Sequence, residues 1–170
     1  MRDEIVLGLD PGTRHFGWGV VERRGPRLVP RGHGIVHTDL NDCIALRLVQ
    51  IERDLVDVVR QHGPAVASVE ALFYAKDAQA AAKLGHARGV ALLVCARAGL
   101  EVYEYAPALV KRAVAGSGRA EKSQVAQMVR VVLGLASVPT ADAADALAVA
   151  ITHLQHMRLP SSGNPRKKSG

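Results

Sequence analysis

The sequence predicts an α/β layered domain, a five-stranded mixed sheet flanked by helices. Three observations predict it. Strand-like runs over 4–9, 16–21 and 28–37 are separated only by short turns, which implies an antiparallel meander. Apolar residues then switch to a three/four spacing over 42–61, the period of an amphipathic helix. Strand-like and helical runs alternate after that, so two further strands join the sheet through helical connections.

Each element has a local reason. Residues 4–9 are Leu-rich and β-branched, a buried-strand pattern, and Asp10-Pro-Gly-Thr13 reads as the turn after it. Over 16–21, Trp18 and Val20 alternate with glycines, and Gly25-Pro26 marks the next turn. The third strand is expected to bulge around Gly32 and Gly34. Ile44, Leu48, Ile51, Leu55, Val58 and Val59 form the apolar stripe of the first helix, which Gly63-Pro64 stops. A strand returns at 66–70, an Ala-rich helix covers 76–98, and a short strand follows at 101–105. Pro107 opens a short helix, residues 116–119 form a Gly-rich loop, and a helix spans 121–133. Thr140 is expected to cap a last helix running to about 156.

Composition narrows the class. At 170 residues one domain is expected, over 1–158, with a mobile basic tail over 159–170 that carries Arg166, Lys167 and Lys168. Apolar residues make up 48%, too many for a disordered chain. The longest apolar run, Val90 to Ala96, is far too short to span a membrane, and Met1-Arg-Asp-Glu4 does not open a secretory signal, so the cytoplasm is expected. Cys43 and Cys95 lack CxxC spacing and sit in apolar, helical contexts, so both are expected to be buried thiols. Lys and Arg outnumber Asp and Glu by 22 to 16, which favours an anionic partner.

Four carboxylates stand where they have little structural reason to be. Asp10 and Glu70 each end an apolar strand-like run, and Asp142 and Asp145 open the otherwise apolar stretch 141–151. Ligands of such sheets bind beyond the carboxyl ends of the strands, so Asp10 and Glu70 share one edge if their strands are neighbours. Asp142 and Asp145 are three apart and share a helix face, near the positive end of the helix dipole. An all-oxygen set of this kind suits two divalent cations, Mg²⁺ or Mn²⁺, acting on a phosphodiester. Ordinary roles also exist: helix N-terminal electrostatics for Asp142, turn chemistry for Asp10, and a solvated strand edge for Glu70. The residues alone leave both readings open.

Cations and aromatics fit a nucleic-acid partner without requiring one. Phe73, Tyr74 and Lys76 closely follow Glu70, where an aromatic could stack on bases or anchor the next helix. Lys76 and Lys83 fall near one helix face, and Lys111, Arg112, Arg119 and Lys122 surround the Gly-rich loop, where they could grip phosphates or be solvated. The seven histidines show no HExxH or zinc-type spacing, and none is assigned a role.

These residues make the chain resemble the RuvC family of bacterial Holliday junction resolvases over about residues 5–156. The resemblance is carried by Leu7-Gly-Leu-Asp10-Pro-Gly-Thr-Arg14 with Gly17-Trp-Gly-Val20, by Val69-Glu70 with Phe73-Tyr-Ala-Lys76, by Lys83-Leu-Gly-His-Ala-Arg-Gly-Val90, by Ala120-Glu-Lys-Ser-Gln-Val125, and by Ala141-Asp-Ala-Ala-Asp-Ala-Leu-Ala148. It implies a ribonuclease H-like fold and a nucleoid-associated homodimer that makes paired symmetric nicks in four-way DNA junctions. It implies that the family's four acidic catalytic metal ligands fall on Asp10, Glu70, Asp142 and Asp145, the last replaced by histidine in some members. It also implies a junction-stacking role for Phe73, DNA contacts at Lys111 and Lys122, and partnership with the RuvA–RuvB branch-migration complex. A catalytically silent junction-DNA binding module is the alternative. An actin-like phosphotransferase would need a second lobe, for which 170 residues are too few.

Overall fold

The structure is a computed structural model that describes residues 4–71 and 78–157. Its strands are β1 (Ile5–Asp10), β2 (His15–Arg24), β3 (Arg27–His37), β4 (Val66–Glu70) and β5 (Glu101–Tyr105). They form one sheet in the order β3-β2-β1-β4-β5. β1, β2 and β3 pair antiparallel, whereas β1–β4 and β4–β5 are parallel. The expected meander and mixed sheet are therefore present, in a ribonuclease H-like arrangement.

The helices are α1 (Ile44–His62), α2 (Ala78–Arg97), α3 (Pro107–Ala115), α4 (Lys122–Leu133) and α5 (Ala141–His156). They cover the two faces of the sheet. Leu7, Leu9, Val20, Ala67 and Val69 pack with buried residues of α1 and α2. Val6 and Val21 pack with α3, α4 and α5 on the other face. Strand alternation explains the split, because successive side chains point to opposite faces. It also fixes the side of the acids. Asp10 shares the parity of Val6 and Gly8, and Glu70 that of Val66 and Ser68, so both belong to the α5 face.

Glycine lets α5 lie close against that face. A Cβ on Gly8 would sit 1.9 Å from the Ala146 carbonyl oxygen, and one on Gly17 would sit 2.1 Å from that of Asp142. These strand positions are bare because the helix backbone occupies their side-chain space. Helix α5 is buried almost throughout, from Ala143 and Ala144 to Leu154. Its apolar composition therefore reflects a central helix with neighbours on most sides.

Several expectations need correction. Thr140 holds the N-cap position of α5 with extended backbone, but its side chain makes no cap hydrogen bond. Cys43 is exposed, just before α1, and only Cys95 is buried. Strand β2 is longer than its apolar run, extending to Arg24. The expected bulge in β3 is present and falls at Arg31, next to Gly32, since Val20 pairs with Gly32 and Val21 with Pro30. Proline has no N–H for the ladder, and an edge strand tolerates that. Among the described residues no helix is long and apolar enough to cross a membrane. Phe73, Tyr74, Lys76 and the tail over 159–170 lie outside the described residues.

Candidate active site

Helix α5 brings its first turns over the carboxyl ends of β1 and β4. Those strands are adjacent and parallel, with Leu9 opposite Val69. The next residue on each is an acid, Asp10 and Glu70. Asp142 is the second residue of α5 and Asp145 follows one turn on. All four carboxylates line one cleft of about 320 Å³. Lys111 of α3, Lys122 of α4 and His15 of β2 line it too.

Electrostatics records the crowding. Asp10 is pushed from its usual 3.8 to about 7, first by burial and then by the charges of Asp145 and Asp142. Burial also raises Glu70, and Asp145 adds to it, while Lys122 and Lys111 oppose the shift. Lys122 is the local counter-charge. Its Nζ donates to Asp145 Oδ2 at 2.8 Å, and this contact raises the lysine pKa.

The donor set fits a hard divalent cation. Every carboxylate is an oxygen ligand, and the shared charge is compensated only in part by the lysines. As the side chains stand they are not drawn into one ion-sized nest: among the described residues no three His, Cys, Asp or Glu are gathered closely enough to hold a metal. Repulsion among like charges and the Lys122–Asp145 pair both favour this looser arrangement.

Among the expected DNA contacts, Lys111 and Lys122 line the cleft. Arg119 is exposed on the loop before α4, outside that lining, where its backbone N–H donates to Ser117 Oγ at 3.2 Å. Lys83 borders a neighbouring hollow with Arg14 and Arg47.

Two residues escaped the sequence reading. His15 reaches the cleft, and its Nδ1 lies 3.1 Å from that of His37, its cross-strand partner. Arg88 of α2, nearly buried, donates through Nη1 to the Glu70 carbonyl oxygen and pairs through Nη2 with Glu104 Oε1 at 2.6 Å. A charge on the otherwise small and apolar 87–95 face of α2 was the signal for Arg88.

Fold and cleft together define a ribonuclease H-like domain with an acidic centre at the carboxyl edge of its sheet. Residues 6–153 match the family model for crossover junction endodeoxyribonuclease RuvC. The protein of that name from Sorangium cellulosum is 57% identical over 149 residues, covering 88% of this chain and 83% of that one. The one from Maricaulis maris is 49% identical over 159 residues, covering 94% and 95%. A solved structure of Thermus thermophilus RuvC in complex with Holliday junction substrate superposes with a TM-score of 0.86 at 37% identity, covering 91% of this chain and 95% of that one. The chain belongs to the RuvC family of crossover junction endodeoxyribonucleases, which are nucleases that generally need divalent metal ions.

Proposed function

We propose that this protein resolves four-way DNA junctions by hydrolysing one phosphodiester in each of two opposed strands. Asp10, Glu70, Asp142 and Asp145 are its catalytic residues and hold two divalent cations per subunit, Mg²⁺ or Mn²⁺. The single observation that carries this reading is the convergence of those four acids in one cleft beside Lys111 and Lys122. When bound, the cations supply an activated water and take up charge on the departing 3′ oxygen. The protein's part is to bind and orient. Asp142 sits in the first turn of α5, which aims its carboxylate into the cleft beside the other three acids. Burial makes Asp10 hold its proton up to about pH 7, so an incoming cation has to displace that proton below this pH and meets the carboxylate above it. Lys111 and Lys122 take phosphate oxygens next to the cut, and Arg14, Arg47 and Lys83 extend the cationic track along the DNA.

Phe73 stacks on junction bases in this reading, with Tyr74, Lys76 and Arg119 as flanking DNA contacts. Phe73 follows Glu70 by three residues in the sequence. A four-way junction has two strands to cut and approximate two-fold symmetry, which a homodimer matches. Exposed Leu46 and Val49 on α1, with Leu92 and Leu93 on α2, supply apolar surface for the second copy. RuvA and RuvB, which move the branch point, are the partners expected for the same junction. The region over 1–158 acts as one nuclease domain, and the tail over 159–170 adds non-specific attraction to DNA.

The test is incubation of the protein with an end-labelled four-way junction and with linear duplex, with and without Mg²⁺. Paired nicks at symmetric positions, confined to the junction and dependent on the cation, are expected. Junction binding with no cleavage under any divalent cation would favour the catalytically silent binding module.

A further inference from the structure

The Lys122–Asp145 pair suggests how cation loading is linked to DNA grip. Lys122 is the first residue of α4, and Asp145 lies one turn into α5. The lysine side chain is 78% exposed, the aspartate side chain 28%. An ion pair with so exposed an ammonium is weak and exchanges readily with other partners. Its position is nevertheless specific, because the ammonium lies against one of the four cleft acids and also acts on Asp10 and Glu70. Lys111 lines the same cleft and acts on Glu70, and so provides an internal comparison for a lysine without the 2.8 Å pair.

We infer that Lys122 is a resident counter-cation: its ammonium holds Asp145 until a divalent cation displaces it, and the released lysine then takes a DNA phosphate. This rests on the cation-binding reading of the cleft. Two positive groups compete for one carboxylate, and the doubly charged one wins when present at sufficient concentration. The freed ammonium remains beside the cleft, where a phosphate of the substrate is the remaining anion. Cation and DNA binding are then positively coupled, and by linkage DNA raises the affinity for the cation by the same factor. Lys122 is in this sense a positioning residue, and its exchange makes the protein grip DNA most firmly when it is loaded to cut.

The test is Mn²⁺ binding to the DNA-free, full-length protein, followed by the electron paramagnetic resonance of free Mn²⁺ in oxygen-free buffer at pH 8. That pH is above the value of about 7 at Asp10, so loss of a nearby lysine does not register mainly as proton uptake there. Lys122→Met is expected to bind Mn²⁺ roughly three-fold more tightly than wild type, in line with removal of one weak ion-pair competitor. Lys111→Met should change the affinity less, and Lys122→Arg should stay at or below wild type. Circular dichroism confirms the fold of each variant, and Lys122→Gln replaces Lys122→Met if that variant does not fold. Unchanged or weaker binding by the uncharged Lys122 variant, or an equal gain in Lys111→Met, overturns the exchange and leaves the cation site standing. No Mn²⁺ binding by wild type overturns the cation reading and the exchange with it.

Discussion

Arg88 donates a hydrogen bond to the Glu70 carbonyl oxygen at 2.9 Å. Its other guanidinium nitrogen pairs with Glu104 on β5, so a helix on one face of the sheet fastens the strand end that presents Glu70 to the cleft on the other. Arg88→Met keeps the aliphatic stem and removes both contacts. We expect it to cost about 1–3 kcal/mol of stability and to lower kcat more than junction affinity. Urea unfolding and single-turnover cleavage check this, and equal kcat would detach Arg88 from Glu70 placement.

Gly17 controls the approach of α5. A methyl group there would collide with the Asp142 carbonyl oxygen, 2.1 Å from the added carbon. Gly17→Ala is expected to push the first turn of α5 off the sheet, costing about 1–3 kcal/mol and most of the cleavage activity. Gly85→Ala is the control, because an added carbon there meets nothing within 4 Å. Melting curves and junction cleavage of the two variants test the contrast.

Much of this arrangement was legible in the sequence, and the rest was missing for physical reasons. Asp10 and Glu70 announced themselves by ending apolar runs, and their place at carboxyl strand ends gave a common edge on the condition that the strands are neighbours. Asp142 and Asp145 announced theirs by helix spacing. The Leu9–Val69 register that sets Asp10 beside Glu70 is a pairing between distant segments and leaves no local trace. The Arg88 contact crosses from α2 to a strand end for the same reason. Cys43 resembled a core residue because its neighbours Ile44 and Leu46 are apolar, yet these too are exposed. The Thr140 position was right and its hydrogen bond was not, since a residue type favours a cap without orienting its hydroxyl.

Asp10 makes the metal-free protein pH-sensitive. Its folded-state pKa of about 7 exceeds the usual 3.8, so the folded protein holds this proton more tightly than the unfolded chain. The stabilising effect of that proton is complete below the unfolded value and is lost as pH rises through about 7. In chelator, the stability advantage of Asp10→Asn over wild type should widen by about 1–3 kcal/mol between pH 5 and pH 8. Mg²⁺ should narrow the gap at pH 8 by stabilising wild type more than the variant. Denaturant titrations at both pH values, with and without Mg²⁺, measure it; a gap independent of pH contradicts the assigned burial.

Lys122→Ala should weaken junction binding and lower the slope of log K against log salt by about one. Phe73→Ala should impair junction cleavage while Mn²⁺ binding stays at the wild-type level. Filter binding across a salt series and the Mn²⁺ titration check these two outcomes. An unaltered salt slope would leave Lys122 without a phosphate contact.

The central claim is that Asp10, Glu70, Asp142 and Asp145 together cradle the catalytic cations. Anomalous diffraction from crystals soaked in Mn²⁺ tests it most directly. The account predicts manganese peaks inside the cleft, bounded by these four carboxylates, with Lys122 drawn away from Asp145. A well-diffracting soaked crystal with manganese only at other surfaces, and none between the four acids, would contradict it.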